Sequence, residues 1–294
     1  MTDWQPGGVL RFRDKVVPDH RPLVMGIVNR TPDSFYDRGA TFAVEAALDR
    51  VRQAVAEGAD IVDIGGVKAG PGAEVGVAEE IRRTVGLVGA VRAQFPSLII
   101  SVDTWRAEVA REVLAAGADL VNDAWAGHDP DLAAVTATFD AALVCTHSGG
   151  LAPRTGPFRV EYVDVVADVR THVTQLAERA LAAGVAAESV IIDPAHDFGK
   201  NTWHSLTVTR RLDELVATGW PVLVSVSNKD FVGETLGLPV DQRQVGTQAA
   251  TAVCAFLGAR IHRVHDVAAA RQTVDLVASV RGERPPVRAV RGLV

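Results

Sequence analysis

The sequence predicts an α/β protein, a single-domain (β/α)8 TIM barrel, and three observations carry that prediction. First, eight short apolar runs recur: LVMGIVN (23–29), ADIVDIG (59–65), LIISVDT (98–104), ADLVND (118–123), AALVCTH (141–147), SVIIDP (189–194), PVLVSVS (221–227) and ARIHRVHD (259–266). They are continuously apolar rather than alternating, as strands buried on both faces are. Second, helical patterns lie between most of them. Third, the step from helix to strand repeats almost letter for letter as AEGADIVD, AAGADLVND and FLGARIHRVHD: helix end, glycine, short turn, strand, polar residue. Eight such units are the number that closes a parallel barrel. The alternative is a doubly wound open sheet, and the lack of a G-x-G-x-x-G turn after the first strand weighs against it.

In chain order, residues 1–20 precede the first barrel strand, and LRFRDKVV within them reads as a small hairpin plugging the barrel bottom. The barrel itself is expected over 21–280. The first strand leads into AVEAALDRVRQAVAEG (43–58), whose apolar residues fall at helical spacing and which ends in a glycine C-cap, Gly58. RAEVAREVLAAG (106–117) and VDVVADVRTHVTQLAERALAAG (163–184) repeat the pattern with Gly117 and Gly184, and Gly258 takes the same place before the last strand. Residues 281–294 read as a loosely ordered tail.

Composition narrows the function classes. The chain has 294 residues, 48% apolar and 22% charged, ample for a large core. A net charge of −6 without basic–aromatic interleaving gives no support to a nucleic-acid partner. No apolar window is long enough to span a membrane, and the N-terminus lacks the apolar core of a signal peptide, so a cytoplasmic location is expected. Cys145 and Cys254 lie in apolar runs and read as core residues, not a disulfide.

The functional signal is positional. Polar residues close every strand: Asn29, Asp63, Asp103, Asn122 with Asp123, His147, Asp193, Ser227 with Lys229, and Arg263 with His265. In a barrel all of these fall on the C-terminal face, where barrel enzymes place their sites. One Asp after a strand is ordinarily a helix cap, but caps do not favour Lys, Arg and His. Carboxylates and amides suit a heterocycle rich in ring donors and acceptors. Arg263 and His265 point the same way along one strand and suit a phosphate or diphosphate. Asn29 could sit near a metal, with Mg2+ taking its other ligands from substrate phosphate and water.

These residues carry a resemblance. MGIVNRTPDSFYDRGA resembles the first signature of the dihydropteroate synthase family, MG-I-[LV]-N-V-T-P-D-S-F-S-D-G-G. The match continues in order through DIGG-xxx-PGA (63–73), SVDT (101–104), VND (121–123), His147, DPxxxFGK (193–200), SxK (227–229) and RVHDV (263–267). The family joins 4-aminobenzoate to a dihydropterin methyl diphosphate in folate biosynthesis and releases diphosphate. The resemblance implies a pterin pocket of Asp103, Asn122, Asp193 and Lys229, and an anion site of Arg263 and His265. It places Asn29 beside Mg2+ and diphosphate, and gives catalytic roles to Lys229 and to Asp33, which would shield a cationic intermediate. It also implies a homodimer.

The departures from the family pattern cluster. Where the family reads GGESTRPGA, this chain reads GGVKAGPGA, so Val67, Lys68, Ala69 and Gly70 replace Glu, Ser, Thr and Arg. Losing a charge-assisted Arg contact costs about 1.5–3 kcal/mol, roughly 10–100-fold in rate when the contact acts in the transition state. Where the family reads G-x-S-R-K-S, this chain has Asn228 for Arg and Asp230 for the last Ser, at a helix N-terminus near the aminobenzoate carboxylate. Asp230 is expected either to cap that helix or to repel that carboxylate. His196 and Asp197 stand where small or apolar residues are usual. Two readings follow: Arg30, Arg38 or Lys68 replaces the lost Arg and the enzyme works, or the pterin pocket persists in an inactive or much weakened paralogue. The second is favoured, because the departures concentrate on the acceptor and diphosphate side. A methyltransferase acting on a methylated pterin is a third, weaker reading.

Overall fold

The structure is a computed structural model that describes residues 9–18, 21–29, 40–68, 70–156 and 160–291. It opens with an antiparallel hairpin, β1 (Leu10–Phe12) and β2 (Lys15–Val17). Eight parallel strands follow: β3 (Leu23–Asn29), β4 (Ile61–Gly65), β5 (Ile99–Asp103), β6 (Leu120–Asp123), β7 (Ala142–Thr146), β8 (Val190–Asp193), β9 (Leu223–Val224) and β10 (Ile261–Val264). Their order, β8-β7-β6-β5-β4-β3-β10-β9, is that of a barrel, and an Ile192–Val222 bridge joins its two ends. Helices α1 (Ala40–Ala56), α2 (Val77–Gln94), α3 (Ala107–Ala115), α4 (Leu132–Thr138) and α5 (Val165–Ala182) fill the first crossovers. Between β8 and β9 lie α6 (Thr202–Arg210) and α7 (Asp213–Val216); between β9 and β10 lie α8 (Asp230–Leu236) and α9 (Gln244–Phe256); α10 (Val267–Val280) ends the barrel. This is the (β/α)8 barrel that the strand count predicts. The seventh strand, β9, is only two residues long, shorter than the apolar run 221–227, with a single bridge residue, Val222, before it.

Alternation along the strands separates two cores. Leu23, Met25, Ile61, Ile99, Leu120, Ala142, Val144, Ile191, Leu223 and Ile261 fill the barrel interior. Val24, Val28, Val62, Ile64, Ile100, Val102, Val121 and Leu143 face outward against the helices. Each strand is therefore apolar on both faces, which is why its sequence does not alternate. Gly117 ends α3 with φ 112, and a Cβ there would meet Arg92 at 3.0 Å, so no other residue fits that turn without strain. Both thiols are buried, which raises them: Cys254 is pushed up to about 12.

The hairpin closes the end of the barrel where the strands begin. Leu10 and Phe12 are buried in the interior cluster. Lys15 Nζ lies 2.7 Å from Asp119 Oδ1, and Arg13 Nη1 donates to the carbonyls of Leu114 and Ala118 at 3.3 and 3.2 Å. No described helix is long and apolar enough to cross a membrane.

Phe12 fills the barrel floor, so Phe12→Ala is expected to destabilise the fold by about 3–5 kcal/mol. Urea denaturation with a fixed m-value would show it; a loss under about 1 kcal/mol would mean that the hairpin does not seal the core.

Candidate functional site

The strand ends converge on Asp63, a fully buried carboxylate on β4. Its Oδ1 accepts from Ser101 Oγ at 2.6 Å; its Oδ2 accepts from Arg263 Nε at 2.6 Å and Asn122 Nδ2 at 3.2 Å. Arg263 Nη2 reaches Asp103 Oδ2 at 3.1 Å. One network thus ties β4, β5, β6 and β10 and orients Asn122 and Asp103. Above it opens a cavity of about 350 Å3 lined by Asn29, Asp103, Asn122, Asp193, Lys229, Arg263 and His265, so the predicted pterin and anion residues among the described ones share one chamber. Its apolar wall comes from Ile27, Val67, Ala124, Ala195 and Phe198.

The electrostatics of this chamber are set by burial. Desolvation pushes Asp103 up to about 7, with Arg263 pulling it down and Asp63 pushing it further up. Burial therefore favours its protonated form, in which the carboxyl can donate as well as accept. Burial also pushes Asp193 up to about 6, against the Ala195 N–H that donates to its Oδ1 at 2.7 Å. Lys229 is pulled down by burial and held up by Asp197 and Asp193; its Nζ stands 4.4 Å above the Phe198 ring. His265 is pushed down to about 4 by burial and then by Arg263, and its Nδ1 is 2.9 Å from Ser227 Oγ. It is a neutral imidazole at pH 7, so Arg263 alone carries the charge of that pair, and it lies against the carboxyls of Asp63 and Asp103.

Asn29 stands exposed at the mouth, its Oδ1 near the Gly65 backbone. A dedicated magnesium site does not fit there. Asn29 offers one amide oxygen, and the nearby Asp103 carboxylate is engaged by Arg263. Among the described residues the one grouping with metal-ligand spacing, His147, Asp168 and His172, includes no residue of the cavity wall. Asp33, Arg30, Arg38 and Ala69 lie outside the described residues.

The glycine loop after β4 is pinned. Arg83 Nη1 donates to Gly66 O at 2.9 Å, and Arg106 Nη2 to Val75 O at 2.8 Å. Arg154 spans Lys68 O at 3.2 Å, Gly70 O at 3.4 Å and Ala73 O at 2.6 Å. Val67 is buried with Trp105 and Trp125, whose rings meet edge to face at 6.5 Å. The loop that glycine content alone marks as flexible is thus held by three arginines and an apolar clasp. Lys68 remains exposed on the cavity rim.

Three expectations are corrected. Asp230 does not cap α8. It is the first helical residue, and its carboxylate pairs with Arg243 Nη1 at 2.8 Å. The carboxylate at the start of α8 is that of Asp197, whose Oδ2 accepts from Phe231 N at 3.3 Å. His147 does not line the cavity; it turns behind it to Asp168 and Lys200. Asp123 also turns away, its carboxylate accepting from Trp125 N at 2.9 Å and Gly127 N at 2.6 Å. Asn228 adopts φ 56, where Asn is tolerated, and its carbonyl accepts from Arg243.

A family model for pterin-binding enzymes matches residues 25–265. The chain belongs to the pterin-binding enzymes, in the dihydropteroate synthase family. It is 59% identical over 277 residues to a Mycobacterium leprae protein named inactive dihydropteroate synthase 2, covering 93% of this chain and 95% of that one. It is 41% identical over 249 residues to the dihydropteroate synthase of Haemophilus influenzae, covering 84% and 90%. Among solved structures it is similar to a Xanthomonas albilineans dihydropteroate synthase with 4-aminobenzoic acid, at 38% identity and a TM-score of 0.85, covering 93% of this chain and 98% of that one.

Asp63, Asp197 and Lys200 escaped assignment from sequence. Asp63 was visible only as one strand-end carboxylate among several. Lys200 closes the DPxxxFGK motif, but nothing in that motif says that its amine turns inward.

The raised Asp103 gives a pH prediction for the pterin-binding barrel. Its folded value lies above the unfolded carboxylate value, so the native state binds the extra proton and the contribution of Asp103 to stability falls as pH rises from about 4 to about 7. Asp103→Asn is therefore expected to gain stability relative to the parent across that window and to level off above it. Urea midpoints at pH 4.5, 6 and 7.5 measure this; a parent–variant difference independent of pH would contradict it.

Proposed function

We propose that this protein binds a reduced pterin in the barrel mouth and does not perform the synthase step at a rate normal for its family. A pterin presents an amino group and ring N–H donors beside ring-nitrogen and carbonyl acceptors, and the carboxyls of Asp193 and Asp103, the Asn122 amide and the Lys229 amine supply complements. Arg263, His265 and Asn29 would face whatever the pterin carries at its methyl position. Mg2+ would enter only with a diphosphate.

The observation that carries the loss of activity is Asp197. Its carboxylate accepts the Phe231 N–H at the start of α8, and Ser205 Oγ lies 3.0 Å from its other oxygen. The resemblance puts the aminobenzoate carboxylate at this helix end, so an internal carboxylate takes the place of the acceptor's and repels it. On the other side of the cavity, Gly70 brings no guanidinium from its own position, and among the described residues Arg154 is spent on loop carbonyls. Breaking the pterin C–O bond requires charge stabilisation on the leaving group as it departs. Among the described residues, the one arginine that lines the cavity is paired with Asp63 and Asp103. That mycobacterial proteins named as inactive are 58–59% identical over most of the chain supports the same reading.

With dihydropterin methyl diphosphate, 4-aminobenzoate and Mg2+, the purified protein is expected to form dihydropteroate at least about 100-fold more slowly than a working synthase. Calorimetry should still show pterin binding that Asp193→Ala abolishes. Turnover at a normal family rate would sink the proposal of lost activity, and no binding of the pterin or its diphosphate would sink the retained pocket.

The protein is also proposed to form a homodimer through α9 and α10. These helices pack side by side and leave Val253, Phe256, Leu276 and Val280 exposed, Phe256 by 56% and Leu276 by 67%. Light scattering should give twice the chain mass, and Phe256→Glu should shift it toward monomer; a monomeric parent at micromolar concentration would refute the dimer.

A further inference from the structure

We propose that Lys200 positions the wall of the pterin cavity through a chain, Asp168–His147–Lys200, that runs from a half-buried carboxylate on α5 through the buried His147 to the loop after β8. The proposal rests on the pterin reading of the cavity. Lys200 is 2% exposed and has no place in the cavity wall. Its Nζ meets three acceptors: His147 Nδ1 at 2.7 Å, Phe198 O at 3.0 Å and Ala195 O at 3.2 Å. Burial pulls Lys200 down to about 7, while Asp193, Asp168 and Asp197 favour its charged form; as an ammonium it has three protons and no lone pair, and these contacts use all of its donors. His147 Nδ1 must then be the acceptor nitrogen, and its proton sits on Nε2, which donates to Asp168 Oδ1 at 2.8 Å. Asp168 Oδ1 also lies 3.2 Å from His172 Nδ1, so the outer end of the chain is shared with a second imidazole.

The two carbonyls that Lys200 holds belong to Ala195 and Phe198, the residues that this loop contributes to the cavity wall. The loop needs holding. Ala195, Asp197 and Gly199 adopt φ 50, 67 and 57, so two non-glycine residues in it are left-handed. Gly199 is pressed so close to Ser148 O that a Cβ would lie 2.6 Å away, and Tyr162 Oη donates to its carbonyl at 2.6 Å. The position of Phe198 then sets two further contacts: the Lys229 amine above its ring, and the edge of Trp125 at 5.3 Å. The loop also carries Asp197 to the start of α8. One buried ammonium therefore sets the pterin wall, the cation over it and the carboxylate at the acceptor side.

The test compares Lys200→Met, His147→Leu and His147→Gln. Glutamine offers an oxygen to accept from Lys200 and an amide to donate to Asp168; leucine offers neither. Two readouts are taken: dihydropterin affinity by calorimetry, and the 19F resonance of Trp125 in 5-fluorotryptophan protein, assigned with Trp125→Phe. Lys200→Met and His147→Leu are expected to weaken the pterin by about tenfold or more and to shift the Trp125 resonance without ligand, while His147→Gln restores both to near the parent. An unmoved resonance in Lys200→Met, or His147→Gln falling as far as His147→Leu, overturns the proposal. If Lys200→Met does not fold, the His147 pair decides alone. A parent that binds no pterin while its Trp125 resonance follows this pattern would overturn the pterin reading and uphold the positioning role.

Discussion

The site depends on the buried contact between Asp63 and Arg263. A guanidinium and a carboxylate taken out of water at the centre of the barrel mouth stabilise each other only if their remaining hydrogen-bonding atoms are also matched. Ser101, Asn122 and Asp103 do that matching. The pair therefore fixes the orientation of the groups that would face a pterin. Removing one partner would leave an uncompensated charge in the core, a cost of about 3–5 kcal/mol. The same contact holds Arg263 between two carboxylates, and His265, neutral under the influence of its surroundings, adds no charge beside it.

Change is spread unevenly around this hub. On the pterin side the carboxyls, the amide and the lysine line a single chamber. On the far side the glycine loop is fastened by arginines to its own carbonyls, Val67 has entered an aromatic cluster, and Asp197 occupies a helix start. Each of these stabilises the barrel locally. Each also removes a group, or a freedom of movement, that a reaction between two substrates and a leaving diphosphate would use. A pocket can retain a ligand by such contacts while losing the differential stabilisation that catalysis requires.

Much of the fold is legible in the sequence, because two-sided burial of parallel strands leaves a strong local trace in continuous apolar runs, each followed by a polar residue. Most residues of the cavity were legible too, since a barrel sends every strand end to one face. Direction was not. His147, Asp123 and Asp193 all close strands, yet only Asp193 enters the cavity, because the turn after each strand decides whether the side chain points inward, caps a loop or reaches behind it. Asp230 falls one residue past the cap of α8 and pairs with Arg243, while Asp197 arrives from another crossover.

By itself the sequence determined the eightfold alternation, the face that carries the site, the family and the loss of the loop arginine, since each is written in residue type and order along the chain. Only the tertiary structure decided that the glycine loop is fastened, that Asp197 holds the start of α8, and that Lys200 lies under the cavity wall. Those outcomes depend on which side chains from distant crossovers meet, and a buried charge takes whichever partners the packing brings within hydrogen-bonding distance.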